Sequence, residues 1–247
     1  MNELFYEIFS NLPRQGPGDK RSTLKAAKTI EDIPKEPVIL DLGCGTGKQT
    51  SELAKFFEGK ITAIDNHQPF LDVLANKAKQ NGFEERLLCL NADMLNPSFV
   101  DGQFDLIWAE GSIFIIGFEK GLKTLKKLLK PSGYTAITEV SWFKESPPTE
   151  LEDFWNSAYP DIKTIDQNLE RINRAGYKLI DHFKLPDAAW MDDYYIPLEK
   201  RLEKFRQKYH AQKNAIELIA SIQLEIDIFR KYSDYYGYVF YIMQNRS

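Results

Sequence analysis

Residues 38 to 47 read Val-Ile-Leu-Asp-Leu-Gly-Cys-Gly-Thr-Gly, an apolar run that ends in an acid and three glycines at alternate positions. Val38 to Leu42 is short and rich in branched side chains, which suits a buried parallel strand, and the glycines supply a turn without Cβ atoms. From Lys48 to Phe57 the apolar residues Leu53, Phe56 and Phe57 recur at helical spacing. Strand, glycine turn and helix together open a nucleotide-binding βα unit, in which backbone N–H groups at the helix start face the ligand.

Spacing separates the ligands that use such a turn. A dinucleotide fingerprint requires its third glycine three residues after the second, but Lys48 stands there. A P-loop requires glycine five residues before Gly47 and Ser or Thr after Lys48, whereas those positions are Leu42 and Gln49. What remains is Asp41-x-Gly43-x-Gly45-x-Gly47, which resembles the first motif of the class I S-adenosylmethionine-dependent methyltransferases.

Further landmarks follow in that family's order. Lys60 to Asp65 reads as a second strand ending in an acid 18 residues after Gly47, and an acid there accepts hydrogen bonds from both ribose hydroxyls. A third strand, Arg86 to Asn91, runs into Ala92-Asp93-Met94, and a fourth, Phe104 to Ala109, ends at Glu110-Gly111. The resemblance implies that Asp41, Gly43, Cys44, Gly45, Gly47, Gln49, Asp65, Asn66, Asp93, Met94 and Glu110 hold S-adenosylmethionine, released as S-adenosylhomocysteine, with no metal. It covers residues 37–145 by motif and the rest by element order. Arg14-Gln15-Gly16-Pro17-Gly18 near one end and Tyr235 to Tyr241 near the other resemble a group of prokaryotic methyltransferases of unassigned substrate.

The chain's other properties narrow the acceptor. A net charge of −4 and a pI near 5.6 argue against a nucleic-acid partner, which demands a basic face. Lys123, Lys126, Lys127 and Lys130 lie on the polar side of a helix whose apolar side is Leu122, Leu125, Leu128 and Leu129, the pattern of a solvated face. The Asn/Asp/Ser-Pro-Pro-aromatic motif of nucleic-acid amino methyltransferases is absent from the fourth strand tip, which reads Ala109-Glu110-Gly111-Ser112. No apolar run reaches membrane-spanning length and the first ten residues carry no basic group, so a cytoplasmic location without membrane attachment is expected. Cys44 and Cys89 fit reduced thiols, and the three histidines show no metal-ligand spacing.

In chain order, the sequence predicts an amphipathic first helix, a turn-rich loop over residues 12–19, a helix from about Ser22 to Ile30, and then alternating strands and helices from Pro37. Pro131-Ser132-Gly133 is expected to end the Leu-rich helix. A sixth strand is expected from Tyr177 to Leu185, and Tyr238 to Met243 forms the last. The expected fold is a doubly wound, seven-stranded Rossmann-like sheet with its last strand antiparallel and a helical cap inserted between the sixth and seventh strands. As one domain it divides into N-terminal helices and lid loop (1–34), core (35–185 and 237–247) and cap (186–236).

The resemblance implies methyl transfer to an O, N or C atom of a small molecule, achieved mainly by proximity and orientation. Glu110 is the candidate proton acceptor or charge partner beside the acceptor, and His67 flanks the adenosine. Arg14, Gln15, Trp142, Trp190, Tyr195 and Tyr236 are the candidate acceptor-binding residues, since an aromatic-rich cover suits an apolar or cationic ligand. The alternative is a non-catalytic module of the same fold that binds S-adenosylmethionine or S-adenosylhomocysteine.

Overall fold

In the computed structural model, which describes residues 3–96 and 98–246, the run ahead of the glycines forms β1, Val38–Leu42, and residues 39–42 of it are buried. Its side chains alternate between two covered faces of the sheet, and parallel strands flank it in the plane: β2, Lys60–Asp65, and β4, Phe104–Ala109. β3, Leu87–Asn91, pairs outside β2, and β5, Leu129–Trp142, pairs with β4. β8, Tyr236–Asn245, inserts antiparallel between β5 and β7, Tyr177–Lys184. The resulting order β3-β2-β1-β4-β5-β8-β7 matches the expected doubly wound sheet with its antiparallel last strand.

Parallel neighbours require crossovers, which are supplied by α3, Lys48–Phe56, α4, Gln68–Asn81, and α5, Phe118–Leu128. Two local features depart from the sequence pattern. An eighth strand, β6, Lys163–Thr164, pairs with Ser141 and Trp142. β5 outruns β4, whose pairing stops with Ala109 opposite Ile137, so the free edge of its last residues takes another partner. Pro131-Ser132-Gly133 does not end a helix: α5 stops at Leu128, and Leu129 is already paired with Phe104. The proline sits in β5 at a register shift, where its missing N–H costs no ladder bond.

Helices α6, Thr149–Ala158, and α7, Ile165–Arg174, follow β5. At the other end of the chain order, α1, Glu3–Phe9, leads into a loop and α2, Lys20–Lys28, whose N-cap Asp19 accepts from the backbone of Arg21 and Ser22. After β7, α8, Ala188–Trp190, continues through a π-helical turn, Met191–Tyr195, into α9, Ile196–Lys208, and α10, Lys213–Tyr232, returns. Arg230 clamps Glu199 through two bonds of 2.6 Å and so joins α9 to α10. α1 packs on α9: Arg201 donates to the Glu7 carbonyl at 2.6 Å, and Lys208 and Tyr209 bond the Glu7 carboxylate. The N-terminal helix and the cap therefore form one roof beside the carboxyl ends of the strands.

Candidate active site

The glycine turn after β1 has left-handed backbone at all three glycines, with φ of 73°, 53° and 76° at Gly43, Gly45 and Gly47. At Gly47 a Cβ would also stand 2.2 Å from Leu74 Cδ1, so glycine alone lets α3 start this close to α4. The N–H groups of Gly43 and Cys44 both donate to the Ile64 carbonyl at 2.9 Å, which ties the turn to the tip of β2.

Asp65, at that tip, accepts from the Gly45 N–H at 3.0 Å through one oxygen and from the His67 N–H at 2.9 Å through the other. Each oxygen thus keeps capacity for a further donor, which suits a vicinal diol. Burial pushes this carboxyl above its ordinary range, and the two backbone donors pull it back. Next to it, Asn66 Oδ1 accepts from the Tyr6 hydroxyl at 3.1 Å, and the Tyr6 ring stacks on His67 at 3.8 Å. α1 therefore lies directly over the tip of β2.

Asp41 and Gln49 lie behind the turn. Asp41 is fully buried, takes bonds from Thr50 at 2.5 Å and Gln49 at 3.4 Å, and is pushed up to about 7 by burial. Gln49 also donates to the Cys44 carbonyl at 3.1 Å, and Cys44 itself is buried. These side chains set the shape of the turn and do not project from its open side. Asp93 is exposed and caps the Leu95 N–H at 2.9 Å, while the Met94 methyl lies 2.8 Å from where a Gly43 Cβ would be.

The loop between α1 and α2 enters the site with two side chains. Gln15 Oε1 accepts from the Thr46 N–H at 2.9 Å, on the open side of the turn, and Lys77 of α4 donates to the Thr46 carbonyl at 2.8 Å. Arg14 pairs with Glu110 at 2.8 Å. The second Glu110 oxygen accepts from Thr23 at 2.9 Å and from the Trp108 indole at 3.1 Å. With its side chain 0 % exposed, this carboxylate is enclosed, and three donors engage its two oxygens. The loop passes so close that a Cβ at Gly18 would fall 2.4 Å from Glu110 Oε1. Glu110 is thus an anchor for the loop and not the free proton acceptor expected from the sequence: both its oxygens are engaged, one by Arg14 and the other by Thr23 and Trp108.

The expected acceptor-binding aromatics are also redistributed. Trp190, Tyr195 and Tyr236 are buried against one another and against Phe229, and Tyr195 donates to Glu225 at 2.8 Å. They form the inside of the cap, because aromatics spaced along α8, α10 and β8 converge there. Trp142 is half-buried with its ring edge-on to Tyr236. Sequence reasoning missed Tyr6, Thr46 and Lys77. Lys77 was detectable as a cation adjoining the apolar stripe of Phe70, Leu74 and Ala78.

A sheet of this order, with a glycine turn after its first strand and an acid at the tip of its second, is the class I methyltransferase fold. Residues 39–133 match the family described as "Methyltransferase domain". A sterol 24-C-methyltransferase of Neurospora crassa is 27% identical over 72% of this chain and 48% of its own length. The chain spans about half the length of the curated relatives it matches. Among solved structures, an S-adenosylmethionine-dependent methyltransferase from Geobacter sulfurreducens in complex with S-adenosylhomocysteine superposes with a TM-score of 0.84 at 20% identity, covering 100% of this chain and 99% of that one. The [4+2]-cyclase SpnF superposes with a TM-score of 0.76 at 20% identity over 98% of this chain and 91% of its own, so the same fold also carries other chemistry.

Proposed function

We propose that the protein transfers a methyl group from S-adenosylmethionine to a small-molecule acceptor. The observation that carries this reading is the pairing of the left-handed glycine turn with Asp65, whose oxygens each hold one backbone donor and keep room for a ribose hydroxyl. The name of the Neurospora relative supports a small-molecule acceptor. The donor supplies an electrophilic methyl group on a positive sulfur that leaves readily. What falls to the chain is to hold two molecules in line and to exclude water.

In this reading Asp65 fixes the ribose, Asp93 and Met94 border the adenine, and Gln15 with Lys77 adjusts the turn that receives the amino-acid end. Asp41 and Gln49 act only through the shape of that turn. The loop anchored by Arg14 and Glu110 closes over the donor together with α1. Among the described residues no cluster of metal-ligating side chains gathers and no helix is long and apolar enough to cross a membrane. A cytoplasmic location and the lack of a nucleic-acid partner belong to the proposal, resting on two free cysteines and the acidic balance.

Asp65→Ala is expected to weaken S-adenosylhomocysteine binding roughly ten- to a hundredfold, since hydrogen bonds to a charged acceptor contribute about 1.5–3 kcal/mol. Calorimetry with unchanged affinity would remove the assignment of this strand tip. Incubation with methyl-labelled donor and a small-molecule cell extract separates an enzyme, which labels a product, from a module that binds the donor without turnover.

A further inference from the structure

Glu139, on β5, is 1 % exposed, and neither of its carboxyl oxygens has a hydrogen-bond partner. A buried carboxyl without partners is costly, and folds keep few of them unless the group serves a purpose. Nor is it alone. The Tyr159 hydroxyl, which neighbours the Glu139 carboxyl without a bond of full geometry, and the Asn168 amide oxygen are buried and unpartnered too. Asn168 spends its amino group on Ser141 at 3.1 Å, and Ser141 shares a 2.9 Å bond with the Tyr241 hydroxyl. The acceptor atoms thus left over come from β5, the end of α6 and α7.

The charges around Glu139 do not neutralise it. Arg171 of α7 is already committed to Asp161 through bonds of 3.1 and 2.7 Å. Burial pushes the Glu139 carboxyl up to about 8; the Tyr159 hydroxyl pulls it down, Asp161 pushes it up, and Arg171 pulls it slightly down. Burial holds Tyr238 and Tyr241 of β8 above the ordinary phenol range, and the Glu139 charge adds to the shift.

The placement is what gives this cluster a role. β4 ends opposite Ile137, so Glu139 stands level with the turn that follows β4, and the Gly111 N–H donates to the neighbouring Thr138 hydroxyl at 2.7 Å. That turn continues into a 3-10 segment, Ile113–Ile115, whose Phe114 is 44 % exposed and lies edge-on to the Tyr159 ring at 6.4 Å. Glu110 is turned to the α2 side of the sheet, with both oxygens engaged there. Glu139 sits beside the same strand tip, on the α7 side, with neither oxygen engaged.

We propose that Glu139, assisted by Tyr159, receives the proton displaced from a hydroxyl or amine acceptor during methyl transfer, with Phe114 against the acceptor's apolar body. The inference rests on the methyltransferase reading and narrows the attacked atom to an oxygen or nitrogen that carries a proton. As the acceptor atom bonds to the methyl carbon, the carbon–sulfur bond breaks with its electron pair on sulfur, and the acceptor's proton passes to the Glu139 carboxylate and then to water. An acid whose proton equilibrium lies near working pH suits that exchange.

The test uses the full chain, methyl-labelled S-adenosylmethionine and a small-molecule cell extract, from pH 6 to 9. Labelling by the wild type is expected to rise with pH and level off above about 8. Glu139→Gln should lose labelling at least a hundredfold while S-adenosylhomocysteine affinity stays within a few fold. Tyr159→Phe removes one hydroxyl that favours the charged carboxyl, so its rising limb should move to higher pH. Thermal unfolding gives a readout independent of turnover. Because the folded carboxyl binds its proton more tightly than the unfolded one, its contribution to stability falls as pH rises from about 4.5 through about 8. The melting temperature of the wild type relative to Glu139→Gln should therefore fall across that window. Equal labelling by wild type and Glu139→Gln, or a loss with no pH dependence, overturns the assignment. Should Glu139→Gln fail to fold, an unshifted limb in Tyr159→Phe overturns it as well. Absence of labelling by the wild type itself overturns the methyltransferase reading, and the proton-acceptor role with it.

Discussion

Glu110→Ala is expected to lower the unfolding free energy by about 3–5 kcal/mol, because it leaves the Arg14 guanidinium as a buried cation without its carboxylate. Arg14 is 6 % exposed at the side chain and has no other acid at bonding distance among the described residues. The same change strips Thr23 and the Trp108 indole of their acceptor. For a chain of this length that loss corresponds to a drop in melting temperature of roughly 6–20 °C. Donor binding should weaken in parallel, since Gln15 reaches Thr46 only while the loop is held down. Replacing both partners with apolar residues, Arg14→Met with Glu110→Leu, should recover much of the stability without restoring the loop's position, because an ion pair removed whole leaves no uncompensated charge. A melting temperature of Glu110→Ala within about 2 °C of the wild type would show that the pair is not the anchor described here.

What was legible in the sequence is what is encoded locally. The glycine turn, the acids at 65 and 93 and the strand runs between them depend on residues adjacent in the chain, and the sheet order follows from alternating strands and helices. The partnership of Glu110 with Arg14 spans 96 positions, and nothing near either residue signals it. Arg14 and Gln15 both stood out as a polar pair in a turn-rich loop, yet only tertiary placement sends one to Glu110 and the other to Thr46. Glu139 had a weak local signature, a lone carboxylate in the otherwise uncharged run from Tyr134 to Trp142. Its meaning depends on Tyr159 and Asn168, which converge only in the fold. β6 is two residues long and carries no period. Aromatic spacing along α8, α10 and β8 cannot distinguish rings that line a cavity from rings that pack on each other, because both are apolar in sequence and differ only in what meets them.

Trp190→Ala resolves that difference for the cap. The indole is 4 % exposed and stacks on Phe229 at 4.6 Å, with Tyr238 at 4.8 Å and Tyr195 at 5.7 Å around it. Two of its neighbours, Tyr236 and Tyr238, belong to β8, so the ring joins the cap to the sheet. Truncation removes those contacts and leaves a cavity that surrounding rings cannot collapse to fill, an expected cost of about 3–5 kcal/mol. Tyr195 would be disturbed with it, and with Tyr195 the bond to the half-buried Glu225, whose carboxyl desolvation already pushes up. Hydrogen exchange should therefore accelerate through α8, α9 and α10 more than in β1, β2 and β4, and Trp190→Phe, which keeps a stacking ring, should recover most of the protection. Had the indole instead been a wall of the acceptor pocket, the alanine variant would keep its melting temperature and lose only turnover. The rings packed around it argue for the first outcome, since an indole stacked on Phe229 and covered by the tilted rings of Tyr195 and Tyr238 has little face left to offer an acceptor.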